Sequence, residues 1–514
     1  NVGGVDNDDN GLDAATPATT GLNTDAIVLV GSLEPPPPVD GDDNNGNQTI
    51  DLGFYPPMSL GNLVWKDYDN DGQRDTANPA EPGVGGVTVE LWRDNGDGVF
   101  NPASDGAPAG TPLTTTTSTA PATLGQYQFT GLLPGNYFVR IPAAEFATGG
   151  DLAGCLSSEP TELDPNADGD NNDDGVNNPN PGVNGISSGP VVLIGNSEPA
   201  NEGDGTNGNQ TVDFGFIPQM TLGNLVWKDL DNDGQRDLTP TPEAGVGNVT
   251  VELYRETNGT GGLQIGSDTQ VGTTTTSAVP ATLGQYSFGN LPPAVYYVRI
   301  PAAEFATGGD LAGCLSSTPT DLDPNNDQDN DDNGIDSATP PASGIATGPI
   351  VLIGSSEPDT AVDGDNNNGN QTIDLGFYPP MSLGNLVWKD LDNDGQRDLT
   401  PTPEPGVGNV TVELYRDNGN GQLDLPGDTL TAVTTTSNAS ATLGAYSFNN
   451  LSPGNYFARI PAAEFQPGGS LVGCQSSTPT VTDPNNNVDN DDNGIDSANP
   501  ASNGVTTGLI VLVG

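Results

Sequence analysis

One segment occurs three times at intervals of about 160 residues: LGNLVWKDYDNDGQRD at Leu60–Asp75, then LGNLVWKDLDNDGQRD at Leu222–Asp237 and again at Leu383–Asp398. Its tryptophans are Trp65, Trp227 and Trp388, and a second landmark, Cys155, Cys314 and Cys474, keeps nearly the same spacing. Solenoid repeats run roughly 20–50 residues, so so long a period marks whole domains in tandem. Each unit opens with an acidic, glycine-punctuated loop. A chain of this kind reads as an extracellular array stiffened by metal.

Composition narrows the partners. With 69 acidic side chains, 12 basic ones and no histidine, the formal charge is −57. Such a chain repels nucleic acid and anionic membrane surfaces. It also repels itself unless cations sit among the carboxylates. The acids concentrate in loops between apolar runs, which argues against wholesale disorder. Seventy glycines and 46 prolines disfavour a helical protein, and no apolar run is long enough to span a membrane. No signal peptide, sorting signal or initiator methionine is visible. One cysteine per unit cannot form a disulfide inside that unit, so a buried, small-hydrophobe role is expected for each.

Within a unit the pattern is that of strands. In Val246–Glu256, Val249, Val251 and Leu253 alternate with Thr250, Glu252 and Tyr254, the signature of a half-buried strand. QYSF and VYYVRI, joined by LPPA, predict a β-hairpin within Thr273–Phe305. The apolar run Pro349–Gly354 and an alternating strand GNQTIDLGFYPP at Gly369–Pro380 close the unit. No segment keeps an apolar period of 3.6. The fold class expected is all-β: a tandem array of antiparallel Ig-like or prealbumin-like β-sandwiches with enlarged acidic calcium loops.

The junctions at Gly53–Asn62, Gly215–Asn224 and Gly376–Asn385 are short and proline-bearing, which predicts semi-rigid linkage. The expected domains are residues 58–218, 219–379 and 380–514, preceded by residues 1–57 as the last part of a further domain. Residues 380–514 then lack a counterpart of GNQTIDLGFYPP. Either the polypeptide continues, or the strand at residues 46–57 of another copy completes that domain.

The first loop carries the clearest chemistry. Asp67, Asp69, Asp71 and Asp75 stand at positions 1, 3, 5 and 9, with Gly72 at 6 and the backbone carbonyl of Gln73 at 7. Alternate positions of a tight loop turn inward, so these oxygens converge on one hard cation. Glu81 follows at a spacing kept by Glu243 and Glu404, and is expected to close the site. The same set recurs as Asp229, Asp231, Asp233, Gln235 and Asp237, and as Asp390, Asp392, Asp394, Gln396 and Asp398. The flanks are strand-like, so this is EF-hand loop chemistry without the EF-hand fold. Calcium is favoured over magnesium by many oxygens on a flexible loop; zinc and copper would want His or clustered Cys. The bland alternative is a chain of Asx-turns without metal.

A second cluster offers Asp164, Asn166, Asp168 and Asp170 in the first unit. In the second it offers Asp323, Asn325, Asp327, Asp329, Asp331, Asn333 and Asp336, and in the third Asp483, Asn485, Asp489, Asp491, Asn493 and Asp496. A partial copy holds Asp6, Asp8, Asn10 and Asp13. So many carboxylates in one short loop would repel one another without cations. A third cluster (Asp40–Thr49, Glu202–Thr211, Asp363–Thr372) is either another site or an Asx/Gly turn. A fourth, Asp94–Gly98 and Asp417–Asp424, has lost most of its acids in the middle copy, Glu256–Gly262.

Taken together, GNLVWxDxDxDGxxD, the later VTVEL and the YSFxxLxPGxYxVRI stretch resemble the B-type domains of serine-aspartate repeat (SdrD-type) surface proteins, relatives of collagen-adhesin B-type modules. The resemblance covers each unit nearly end to end, apart from enlarged loops before the final strand. It implies calcium-binding β-sandwich stalks on bacterial surfaces, with Asp67, Asp69, Asp71, Asp75 and Glu81 at matching ligand positions. Some collagen-adhesin modules carry Lys–Asn or Lys–Asp isopeptide bonds. Lys66, Lys228 and Lys389 are the candidate lysines here, with Asn370 and Asp374 on a last strand. The acid such a bond needs is replaced by Arg140, Arg299 and Arg459, which are expected instead to pair with loop carboxylates.

No histidine, no nucleophile with a nearby base and no phosphate loop argue against an enzyme. The function expected is an extracellular structural protein whose calcium-stiffened domains stack head to tail into a surface fibre or filament, with strand donation. The alternative is the stalk of a bacterial surface adhesin, or an S-layer-like or biofilm-matrix protein. Calcium ions, several per domain, and further copies of the chain are the expected partners.

Overall fold

Val249, Val251 and Leu253 are completely buried, and the alternation that contains them folds as the strand Thr250–Arg255. The computed structural model that places them describes every residue except 1–7, 15, 16, 42, 78, 79, 107–109, 160, 168, 201–204, 240, 319, 338, 479 and 487. The chain is mostly β, arranged in two compact units, Asn1–Ile217 and Pro218–Gly514. Helices among the described residues are short pieces such as Pro340–Ser343, and none is long and apolar enough to cross a membrane.

The second repeat displays the plan. One sheet runs in the order Gln285–Leu291, Met220–Lys228, Gly369–Tyr378, Leu315–Ser316. The other runs Thr269–Thr275, Thr250–Arg255, Ala294–Ile300, Ile345–Ala346, with Ile350–Leu352 also on Ala294–Ile300. Their inner faces share one core that includes Val226, Val251, Tyr296, Phe305 and Phe377. The first repeat follows the same plan, with Phe214–Pro218 paired parallel to Met58–Lys66.

Three expectations are corrected. QYSF and VYYVRI do not form a hairpin, because Gln285–Leu291 pairs with Met220–Lys228 while Ala294–Ile300 pairs with Thr250–Arg255 in the other sheet. The two prolines between them lack N–H donors, and both strands turn apolar residues into the same core, so the chain arches from sheet to sheet. Gly369–Tyr378 does not alternate: it is buried on both faces almost throughout, Asp374 included. It lies parallel to Met220–Lys228 in the middle of its sheet, with Leu225 opposite Asp374 and Trp227 opposite Gly376. A Cβ at Gly376 would come within 2.8 Å of the Trp227 ring, which is why this position is glycine. Finally, the arginines pair with strand glutamates rather than loop carboxylates: Arg140 with Glu90 at 2.7 Å, Arg299 with Glu252 at 2.5 Å and Arg459 with Glu413 at 2.6 Å. Each pair is directly opposed in the antiparallel ladder.

Residues 26–31 and 46–57 have strand-like sequence yet build no ladder, Asp51 making a single bridge to Asp9. Their counterparts Ile350–Leu352 and Gly369–Tyr378 owe their strand form to partners in the body of a repeat. In the third repeat Met381–Leu386 pairs with Ala445–Leu451 in a two-stranded sheet, opposite a six-stranded one. Cys155 and Cys314 are buried and Cys474 half-buried, and the Lys66 ammonium sits 2.6 Å from the Cys155 sulfur.

Candidate metal centre

Met220–Lys228 delivers the chain into the first acidic loop with Asp229 completely buried. Asp229 Oδ1 accepts the N–H of Asn232 at 2.5 Å, and Oδ2 accepts that of Gly234 at 3.0 Å and the Ser317 hydroxyl. The turn needs left-handed backbone at Asn232 (φ 59) and Gly234 (φ 77), which asparagine and glycine tolerate. Glu243 grips both ends of the loop, taking the N–H of Leu230 at 2.5 Å and of Asp237 at 2.9 Å. Glu81 and Glu404 grip their own loops in the same way.

In each repeat three carboxylates of this loop offer oxygens within 4.8 Å of one another: Asp67, Asp69 and Asp71; Asp229, Asp231 and Glu243; Asp390, Asp392 and Glu404. Asp75, Asp233, Asp237, Asp394 and Asp398 lie on the same loops outside these triplets. Desolvation, with the charges of neighbouring aspartates, raises Asp69 and Asp231 to about 6. Burial raises Glu81 and Glu243 to about 7 against the pull of the backbone N–H groups they accept.

The two loops that look separate in sequence are joined backbone to backbone. Arg236 N–H donates to Asn330 O at 2.8 Å, Asp332 N–H donates to Gly234 O at 3.0 Å, and Gln235 bridges Asp331. Gln73 bridges Asn172 and Gln396 bridges Asp491 in the other repeats. The second loop also clasps the last strand. Asp332 Oδ1 takes the N–H of Gly376, Asn333 Oδ1 takes that of Asp374, and Asp374 Oδ2 takes that of Asn330, at 2.7–3.0 Å.

Among the described residues, the remaining members of the second cluster are not gathered into a carboxylate triplet. Asn166, Asn325 and Asn485 use both amide atoms on backbone, Asn325 holding Pro349 O and Val351 N–H, and their loop partners are Asp164, Asp323 and Asp483. Asp170, Asp329 and Asp489 accept from Asn62, Asn224 and Asn385 on the first strand. Asp496 accepts from Thr480 at 2.7 Å, and Asp336 is held near Thr320 and Ser316. Asp327 has a pKa raised by burial first and then by Asp363 of the third cluster. Asp491 accepts from Asn486, while Asn493 keeps a buried Nδ2 without a partner. Asp8 meets Asn10, Asp13 is exposed, and Asp6 and Asp168 lie outside the described residues.

Sequence reasoning missed several acids. Asp173 and Asp332 are fully buried beside the first loop, with pKa values far above the carboxylate range through burial, and each has one oxygen without a partner. Beside them Asp331, which the sequence did single out, has both oxygens unpartnered and is raised to about 7 by burial and then by Asp321. Asp105, completely buried, joins Asp94 and Asp97 in a further triplet of the fourth cluster. The equal spacing of Asp94–Asp105 and Asp417–Asp428 was the available signal. Buried carboxylates with unpartnered oxygens cost free energy unless something positive meets them. The donor set is all oxygen, which fits a hard divalent ion such as calcium.

Residues 58–173, 220–366 and 381–499 match the family model described as SdrD B-like domain. Serine-aspartate repeat-containing protein D of Staphylococcus aureus (strain Newman) is 31% identical over 415 residues, 80% of this chain and 22% of that protein. Serine-aspartate repeat-containing protein F of Staphylococcus epidermidis is 30% identical over 426 residues, 82% of this chain and 18% of that protein. The chain thus spans about a fifth of the length of these curated relatives. Among solved structures, BcpA, the major pilin subunit of Bacillus cereus, is 10% identical at a TM-score of 0.22, over 79% of this chain and 87% of the pilin. A streptococcal ancillary pilin is 10% identical at a TM-score of 0.20, over 78% of this chain and 89% of the pilin. Three successive family matches, each opening at the strand that feeds an acidic loop, make this chain a member of the SdrD B-like domain family.

Proposed function

We propose that this chain is a non-catalytic structural stalk, its repeats stiffened by calcium and joined head to tail. It belongs outside the cell or at the bacterial cell surface. The observation that carries the reading is that a carboxylate triplet forms on the same loop in every repeat, its first two members at equivalent positions, beside buried acids with unpartnered oxygens. Asp229, Asp231 and Glu243 would hold the ion in the second repeat and the equivalent Asp390, Asp392 and Glu404 in the third, while in the first Asp67 and Asp69 would be joined by Asp71. Bound calcium supplies the charge that lets these groups ionise together. The protein's own contribution is to hold the oxygens in place through the Glu243 clamp and the paired second loop. That pairing ties the ion site to the end of the last strand, so calcium binding stiffens the sandwich as a whole.

Counting calcium on the purified chain by elemental analysis, followed by limited proteolysis with and without EGTA, tests the reading. At least one tightly held ion per repeat is expected, with rapid cleavage of the acidic loops after chelation. A chain that carries no calcium after dialysis against micromolar Ca²⁺, or is cleaved equally in both conditions, would refute it.

A further inference from the structure

Lysine and cysteine are equally scarce in this chain and keep the same company. The lysines are Lys66, Lys228 and Lys389 and the cysteines Cys155, Cys314 and Cys474, one of each per repeat. In the first repeat the Lys66 ammonium lies 2.6 Å from the Cys155 sulfur. In the second, burial raises the Cys314 thiol and the charge of Lys228 pulls it back, so the same two groups are neighbours there. We propose that Lys66 and Cys155, and likewise Lys228 and Cys314, are joined by a covalent bridge in which a single oxygen atom links the lysine Nζ to the cysteine Sγ. The bridge goes beyond the calcium reading and does not depend on it.

Three features set this pair apart from a cysteine that merely fills the core. The first is the choice of partner. With 69 acidic side chains a lysine has carboxylates on offer, yet among the described residues the ion pairs are all made by arginines, to Glu90, Glu252 and Glu413. The Lys66 ammonium is held against sulfur instead. The second is distance. An N–H···O hydrogen bond settles at about 2.9–3.0 Å, and sulfur is a larger atom than oxygen. A nitrogen 2.6 Å from sulfur is inside hydrogen-bond contact, at a separation that one bridging atom spans.

The third is access. Cys155 and Cys314 are buried members of the core clusters, whereas Lys66 is half-buried and Lys228 exposed. The pair thus stands where the core opens to solvent, and a small neutral oxidant can reach it; outside the cell that oxidant is dioxygen. A thiol beside a cation is also the kind that oxidises selectively.

The place of the pair shows what a bridge would do. Lys66 ends the strand Met58–Lys66 opposite Phe216 of the last strand, and Cys155 opens the strand Cys155–Ser157 on that strand's far side. In the second repeat Lys228 stands opposite Phe377, with Leu315–Ser316 beyond it. A bridge therefore joins two strands that are not neighbours and pins the last strand between them. It also closes the long loop from Lys66 to Cys155, which restricts the unfolded chain as a disulfide would.

The step balances with dioxygen. The ammonium first passes one proton to water. The neutral amine then gives up one hydrogen and the thiol its own, as the O–O bond breaks. One oxygen atom forms the new N–O and O–S bonds, and the other leaves as water with both hydrogens. Nitrogen and sulfur are each oxidised by two electrons, and dioxygen takes up all four. Each bridge adds one oxygen to the mass of the chain and removes two hydrogens.

The test is the intact mass of the full chain purified in air, before and after dithiothreitol. A rise of one oxygen less two hydrogens per bridge is expected, lost on reduction as the thiols return. Digestion should yield the Lys66 and Cys155 peptides linked together, and the Lys228 and Cys314 peptides likewise. Lys66→Arg keeps the charge and should lose one bridge, leaving Cys155 to titrate as a free thiol in denaturant while the Lys228–Cys314 bridge remains. The bridged chain should melt above the reduced chain in EGTA as well as in calcium, which separates this result from the fate of the calcium stalk. An unmodified mass with all thiols free after prolonged exposure to air overturns the proposal. So does oxygen uptake at Cys155 that survives Lys66→Arg, which is oxidation of sulfur alone, or a linkage that lacks the oxygen.

Discussion

The second and third repeats carry almost the same sequence and differ in whether one strand lies beside their opening strand. With Gly369–Tyr378 in place, Leu222 and Asp229 are completely inaccessible and a single core joins both sheets. In the third repeat Leu383 and Asp390 are half-buried, and the apolar residues fall into two clusters, one around Leu414 and one around Val410. The last strand therefore does two jobs at once: it completes the core, and it dries the loop that gathers the carboxylates. The second acidic loop and the strand are joined by hydrogen bonds through Asp332, Asn333 and Asp374.

The largest expected effect comes from emptying that strand of one side chain. Phe377→Ala removes a fully buried ring packed against Phe305 at 5.3 Å, and should cost the second repeat about 3–5 kcal/mol. The same change at its sequence twin, Phe54→Ala, should leave the melting of the dilute chain unchanged, since that ring is 76% exposed. Equal costs at the two positions, read by chemical denaturation, would break the comparison.

Calcium removal comes next. An ion at 100 times its dissociation constant stabilises by about 2.7 kcal/mol, and about 1 kcal/mol moves the melting point of a 150–250-residue domain by roughly 2–4 °C. Chelation should therefore lower melting by roughly 5–10 °C per repeat. In the second repeat the clasp of Asp332, Asn333 and Asp374 should carry that loss from the acidic loops to the last strand. Scanning calorimetry that gave the same melting in calcium and after confirmed metal removal would uncouple ion from strand.

Much of this was legible in the sequence, and the part that was not shares one cause. Val249, Val251 and Leu253 announce their strand because alternation is local, and Asp229-x-Asp231-x-Asp233-Gly234 announces its loop for the same reason. Gly369–Tyr378 misleads because its partner Met220–Lys228 is far away in sequence, and only that pairing turns an apparently one-sided strand into a central one. Asp332 was passed over in favour of Asp331 and Asn333 because loop spacing says nothing about which acid meets Gly376 across the sheet. The arch at Pro292–Pro293 read as a hairpin because a turn and two strands look alike whether the strands pair or part.

A smaller effect is expected from pH, and its sign follows from the raised acids. Glu243 rises from 4.5 to about 7 and Asp331 from 3.8 to about 7, both mainly through burial, so the folded, metal-free second repeat holds protons that the unfolded chain releases. A carboxylate raised on folding destabilises fully above its folded value and not at all below its unfolded one. The calcium-free chain should thus gain stability as pH falls from about 8 to about 4, and the stabilisation by calcium should grow as pH rises through the same window. In the third repeat Asp492 reaches only about 6, so its response should sit at lower pH. Thermal melts in EGTA that fall steadily with acid would reverse this sign and refute it.

The smallest effect should be blind to the missing strand, and that makes it a control. Arg299 and Glu252 stand opposed in the second sheet with side chains 12% and 18% exposed, and Arg299 also donates to Ser343 O at 3.1 Å. Arg459 and Glu413 repeat the arrangement at 17% and 19%, with Asn503 O as the further acceptor at 3.3 Å. Both pairs lie on the sheet other than the one built on the opening strand. Removing one partner of a half-buried pair costs more than the 0–1 kcal/mol typical of exposed pairs, because the glutamate left behind remains partly desolvated. Arg299→Gln and Arg459→Gln should therefore each cost about 1–2 kcal/mol, and the two costs should agree. If Arg459→Gln cost much more than Arg299→Gln in denaturant titrations, the second sheet of the third repeat would depend on the strand after all. The separation of the two sheets into one that includes the last strand and one independent of it would then fail.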